Sequence, residues 1–196
     1  MMEREVLVTG IGGQGIQLAA QVIARAALAE GRDVQLFGSY GGMMRGGNTE
    51  ATLVVAETAV EAPPTVGSAW SAIVMHHDYS GPTLRRLRSG GVVMVNSTVV
   101  EREIDRAEYV VVDVPATDLA VELGNIMAAS MVMVGAYSSV TALVALDSLV
   151  DAVADALPSY RARHAALNQD ALRTGYDAAP DVHVDAWTAD VRAGAS

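Results

Sequence analysis

Cysteine is absent from the 196 residues, and so is lysine, since all thirteen basic side chains are arginines. Without thiols the chain forms no disulfide, no thiolate-bound zinc site, no cysteine nucleophile and no cysteine-ligated iron–sulfur cluster. That absence suits a cytoplasmic setting. Positive charge is scarce: 13 Lys+Arg stand against 23 Asp+Glu, for a net charge of −10. Nucleic acid and anionic membrane surfaces need clustered cations, so neither is an expected partner. The one cluster, Arg85, Arg86 and Arg88, reads as the solvated face of a short helix. Long apolar runs are missing too. The longest nearly uncharged stretch, residues 123–146, is interrupted by Gly124, Asn125, Ser130, Gly135 and Ser138, and reads as a buried helix followed by a loop. Met1 to Arg4 is charged and enters a strand directly, unlike a secretory leader.

What is present is an alternation of strand and helix. Residues 6–9 read as a buried strand, and residues 14–30 as a helix with Ile16, Ala19, Ala20, Ile23, Ala26 and Ala27 on one face and Gly31 ending it. Strands follow at 34–37, 49–56, 72–75, 92–96 and 109–114. In the third, Ala51, Leu53 and Val55 alternate with Glu50, Thr52 and Val54. Further helices are expected at 82–88, 117–123, 126–134, from a capping box at Ser148 to Pro158, and at 162–174 with Gly175 behind it. The pattern predicts a single three-layer α/β/α domain with a mostly parallel, Rossmann-like sheet. That domain is expected over residues 1–175, with a tail, 176–196, packed on it or on a partner.

Two glycine-rich loops follow the first two strands: Gly10-Ile11-Gly12-Gly13-Gln14-Gly15, and Gly38-Ser39-Tyr40-Gly41-Gly42-Met43-Met44-Arg45-Gly46-Gly47. Glycines of the first kind allow either a tight turn with close strand–helix packing, or a backbone surface that meets a phosphate or a partner subunit. A nicotinamide dinucleotide would want an acid at the end of the second strand, but Glu30 and Asp33 precede that strand. Arg45, the lone charge of the second loop, suits either a forked contact to a ligand or partner, or an internal ion pair. The candidate binding residues are therefore Gly10, Gly12, Gly13, Gln14, Gly15, Tyr40, Arg45, Gly46 and Gly47. His76-His77-Asp78 follows a strand, where adjacent side chains point to opposite sides, so a shared metal is not expected. Tyr40 and Tyr137 have no base beside them in the sequence, and there is no serine elbow, P-loop lysine or paired-carboxylate motif. No catalytic residue and no metal ligand is assigned.

G-x-G-G-Q-G after the first strand, with Y-G-x-x-x-R-G-G after the second, resembles the gamma subunit of the 2-oxoacid:ferredoxin (acceptor) oxidoreductases. The likeness continues through Glu61-Ala62-Pro63-Pro64, Glu122-Leu123-Gly124-Asn125 and Met131-Val132-Met133-Val134-Gly135-Ala136. It ends near Leu167-Asn168-Gln169-Asp170-Ala171 and Gly175-Tyr176, and so covers nearly the whole chain. Ser130 departs from it, standing where the family usually has asparagine. The resemblance implies a subunit without independent activity in an enzyme that decarboxylates 2-oxoacids oxidatively to acyl-CoA. It implies alpha and beta subunits as partners; independently, a composition that is 51% hydrophobic and 18% charged leads us to expect a homodimer when the chain is isolated. Thiamine diphosphate and iron–sulfur clusters are then carried by other subunits, and this chain supports the coenzyme A side. A cofactor of that kind carries the difficult chemistry while protein encloses it.

Overall fold

The computed structural model describes residues 2–40, 46–61, 66–157 and 159–188. Six strands form one sheet: β1 (Glu3–Ile11), β2 (Asp33–Tyr40), β3 (Asn48–Ala56), β4 (Ala69–Val74), β5 (Leu87–Asn96) and β6 (Val110–Val114), in the order β2-β3-β1-β4-β5-β6. The helices are α1 (Ile16–Ala29), α2 (Ser80–Leu84), α3 (Ala116–Glu122), α4 (Ala129–Thr141), α5 (Leu146–Ala156) and α6 (Ala165–Ala178). Strand alternation divides the core between two faces. Val6, Val8, Leu53, Val55, Ile73 and Met94 pack with α1, α4, α5 and α6. Leu7, Val54, Ala72, Val74, Val93 and Val95 pack on the other side with Leu84 of α2 and with Val100 and Ile104. Helices thus lie on both sides of a single α/β domain, but the second layer is thin.

The sheet is mixed. β1 pairs parallel with β4, β4 with β5 and β5 with β6, whereas β3 is antiparallel to both β1 and β2. Five strands therefore share one direction and β3 opposes them. The sheet is thus mostly parallel, as expected, with one antiparallel strand, β3, between β1 and β2. The cause is the connection. Residues 41–47 join β2 to β3, too few for the crossover that a parallel pair needs.

Three other boundaries differ from the sequence reading. α2 ends at Leu84, and β5 already begins at Leu87. Arg86 and Arg88 therefore do not form a solvated helix face: Arg86 pairs with Glu50 of β3 and Arg88 with Glu5 of β1. Ser148 is the third residue of α5 rather than its cap. Its N-terminal Ala145 N–H is instead bonded by the Glu30 carboxylate, at 2.7 Å and 115 residues away in sequence. α6 runs past Gly175 to Ala178. Beyond it, residues 179–188 pack back on α4, with Val184 N–H donating to Val140 O and Ala186 N–H to Thr141 O. Gly31 ends α1 as expected, in a left-handed conformation at φ +79°.

Tyr137 of α4 is fully buried, with its hydroxyl 2.9 Å from Ser71 Oγ of β4. Burial raises its phenol well above the ordinary tyrosine range, against weaker opposing pulls from Ser71, Thr141 and Arg4. The folded state holds the neutral phenol while the unfolded chain ionises near pH ~10, so this contribution is complete below ~10 and is lost as pH rises above it. Urea unfolding at about pH 8 and about pH 11 should show a steeper alkaline loss for the wild type than for Tyr137→Phe. Equal losses in the two proteins would show that Tyr137 does not set the alkaline limit.

Candidate functional site

Because β1 and β2 point the same way, the loops that follow them emerge at one end of the sheet. They meet there. Gly12 N–H donates to Gly47 O at 2.9 Å, and Gly46 N–H to Gly12 O at 3.4 Å, extending the β1–β3 ladder beyond Ile11–Asn48. Gln14 fastens the first loop to its neighbours. Its Oε1 accepts from Ile11 N–H at 2.9 Å, and its Nε2 donates to Met75 O at 3.1 Å, beyond the end of β4. Gly10 has no room for a Cβ, which would fall 2.5 Å from Gln14 Oε1 and 2.8 Å from Ile16 Cδ1. Gly15 caps α1 at φ +78°, and a Cβ there would lie 2.5 Å from Ser130 Oγ, at the start of α4. Ser130 Oγ is buried with no hydrogen-bond partner among the described residues, as are Thr9 Oγ1 and Asn48 Oδ1.

The structure thus brings Gly10, Gly12, Gly13, Gln14, Gly15, Gly46 and Gly47 together. Tyr40 ends β2 at the same end of the sheet. Arg45 lies outside the described residues, as does most of the second glycine loop and part of Glu61-Ala62-Pro63-Pro64.

Beside the first loop is an apolar cavity of about 170 Å³, lined by Gly13, Gln14, Met75, Val99, Ile126 and Met127 among others. Ile126 and Met127 are 57% and 58% exposed, and Val121 on the adjoining α3 is 56% exposed. The sequence reading missed this rim. The available signal was Asn125, whose side chain accepts from Met127 N–H at 3.0 Å and so opens the turn before α4. A larger recess of about 520 Å³ is bounded by Arg102, Glu103, Asp105, Arg106 and Asp113. It shares no lining residue with the glycine loops, and two of its charged residues, Arg106 and Asp113, pair with each other.

His76 and His77 require a correction. β4 ends at Val74, so both lie in a turn rather than in a strand, and they do not splay apart. Their rings stack with centroids 4.5 Å apart, and donor atoms of His76, His77 and Asp78 all lie within 4.8 Å of one another.

Residues 5–178 match the family model described as pyruvate ferredoxin/flavodoxin oxidoreductase. The 2-oxoglutarate synthase subunit KorC of Methanothermobacter thermautotrophicus is 34% identical over 164 residues, which are 80% of this chain and 86% of that one. The fold is that of the keto/oxoacid ferredoxin oxidoreductase gamma subunit from Geobacter sulfurreducens, at TM-score 0.74 and 24% identity over 90% of this chain and 98% of that one. It also matches part of the 2-oxoglutarate:ferredoxin oxidoreductase from Magnetococcus marinus, whose structure holds 2-oxoglutarate, coenzyme A and succinyl-CoA. There the TM-score is 0.78 at 17% identity, over 94% of this chain and 33% of that one.

Proposed function

The chain belongs to the pyruvate ferredoxin/flavodoxin oxidoreductase family, and from that premise we propose that it works as the gamma subunit of a thiamine diphosphate-dependent 2-oxoacid:acceptor oxidoreductase. On this reading it supports assembly with alpha and beta subunits in the cytoplasm and helps enclose the coenzyme A side of their active site. Iron–sulfur clusters belong to other subunits, since this chain has no cysteine to ligate one. The observation that carries the reading is the face where the two glycine loops meet beside exposed Ile126 and Met127. Backbone without Cβ atoms lets another chain approach closely, and apolar side chains at the rim reward its doing so.

The described residues fit a subunit contact better than a phosphate cradle. Within the first loop the N–H groups of Ile11, Gly12 and Gln14 are already bonded in the protein, which leaves less of that loop's backbone for an anion than the glycine motif alone suggests. A free-standing dinucleotide-binding oxidoreductase fits less well still. β3 separates β1 from β2, and Asp33 spends its carboxylate at the opposite end of β2 on Val34 and Val60 N–H.

The purified chain, given thiamine diphosphate, coenzyme A and a 2-oxoacid, is expected to reduce no dye. Adding companion alpha and beta subunits should restore turnover. Dye reduction by the chain alone, or full turnover by the companions without it, would refute the subunit role. Tight binding of NAD(H) or a flavin by the lone chain would promote the free-standing reading instead.

A further inference from the structure

We propose that His76, His77 and Asp78 form a three-ligand site for a divalent transition cation of the zinc class. The site sits in the turn after β4 and is independent of the family reading. Imidazole with one carboxylate is a ligand set that suits zinc, cobalt or nickel rather than calcium or magnesium.

The orientation of the two rings carries the inference. His77 Nδ1 lies 3.0 Å from Val99 O, an acceptor, so in the neutral ring the proton sits on Nδ1 and the lone pair on Nε2. That Nε2 lies 3.3 Å from Asp78 Oδ1. His76 Nδ1 accepts the Asp78 backbone N–H at 3.3 Å, which places its lone pair there, and it lies 3.5 Å from Asp78 Oδ2. The His77 Nε2 lone pair therefore faces one carboxylate oxygen, and the His76 Nδ1 lone pair, which would exchange its 3.3 Å bond from Asp78 N–H for a metal, lies beside the other. With nothing between them these contacts repel. A cation placed among the three groups turns each contact into an attraction, and a ring N–H bonded to a backbone carbonyl is the usual way a protein orients a metal-binding imidazole.

The distances are compatible. Metal–ligand bonds of about 2.0–2.2 Å in tetrahedral array put donors roughly 3.3–3.6 Å apart. The ligand atoms now span up to 4.8 Å. Closing that gap takes side-chain rotation of about 1 Å, and the groups are free to make it, with His77 40% and Asp78 57% exposed. The backbone beneath them is already fixed, since Ser80 donates to His77 O from both its N–H, at 3.3 Å, and its hydroxyl, at 2.8 Å. The remaining coordination position opens to solvent and takes a water or another oxygen ligand.

The competing explanation is protonation alone: an imidazolium on either ring pairs with Asp78 and no metal is needed. Titration calorimetry of the untagged, chelator-treated full chain with zinc chloride separates the two. One ion per chain with Kd below about 100 μM is expected. Asp78→Asn and His77→Gln should each weaken it at least about tenfold. His183→Gln should leave it unchanged, because His183 and Asp181 form an exposed pair with no third ligand among the described residues. Cobalt should give the visible absorption of a low-coordinate site in the wild type and lose it in Asp78→Asn. Melting curves without metal check that the variants fold. No saturable binding by the wild type, or binding that Asp78→Asn and His77→Gln leave intact, overturns the proposal.

Discussion

Replacing Gly175 by alanine should lower the melting temperature by roughly 10 °C or yield insoluble protein, although alanine is the better helix former by about 1 kcal/mol. α4 and α6 touch backbone to backbone. A Cβ on Gly175 would lie 1.8 Å from Val132 O and 2.6 Å from Val132 C, and one on Gly135 would lie 1.9 Å from Leu172 O. Neither obstacle is a side-chain end that can swing away. To reach even the 3.0 Å that Cβ atoms respect, the helices must part by more than an ångström. Such a gap forfeits a quarter to a half of each dispersion contact across it. The contacts at stake include Val132, Tyr137, Ala171 and Leu172, all fully buried. Overpacking against immovable backbone belongs at the upper end of such costs, about 3–5 kcal/mol, which exceeds the gain in helix propensity. Gly135→Ala should behave the same way. Gly67→Ala, with open space around it and no left-handed backbone, is the control and should melt within about 2 °C of the wild type. Calorimetric melting of the three variants checks this, and a Gly175→Ala protein that melts with the control would sink the argument.

Gly31 and Gly175 mark where reading the sequence succeeds and where it stops. Gly31 was legible as a helix end because its role is local: the chain turns there at positive φ. Gly175 follows an apolar period just as Gly31 does, yet it sits inside α6, because what removes its side chain is Val132 on another helix. The alternation of Ala51, Leu53 and Val55 against Glu50, Thr52 and Val54 was legible too, since period two separates faces whatever the strand's direction. Direction itself was encoded in the shortness of residues 41–47, a signal weaker than the strand–helix rhythm around it.

The candidate site divides likewise. Both glycine loops announced themselves, and so did their common end of the sheet. That Gly12 bonds Gly47, that Gln14 reaches Met75, and that His77 leans on Val99 all depend on chain crossings that no local pattern records. α5 makes the point most plainly, because the group that serves its N-terminus is Glu30 of another helix and not the serine three residues into it.

The double substitution Ile126→Asp, Met127→Asp should leave the lone subunit folded while weakening its assembly with companion subunits at least about a hundredfold. Both side chains are more than half exposed, so their loss removes little from the core, and exposed substitutions usually change stability by about 0.5 kcal/mol or less. The backbone of the turn does not need them, because Asn125 holds Met127 N–H through its own side chain. In an interface the balance reverses. Each apolar anchor pressed against a partner is worth about 2 kcal/mol or more, and a carboxylate in its place must be desolvated without a counter-charge. The chain's net charge of −10 sharpens the effect, since two more negative charges raise the repulsion toward any acidic partner. Melting temperature, then co-purification and turnover with alpha and beta subunits, should be measured on the same preparations. Tight assembly by the double variant would move the interface elsewhere, and the exposed Leu36 and Phe37 of edge strand β2 would be the next surface to test.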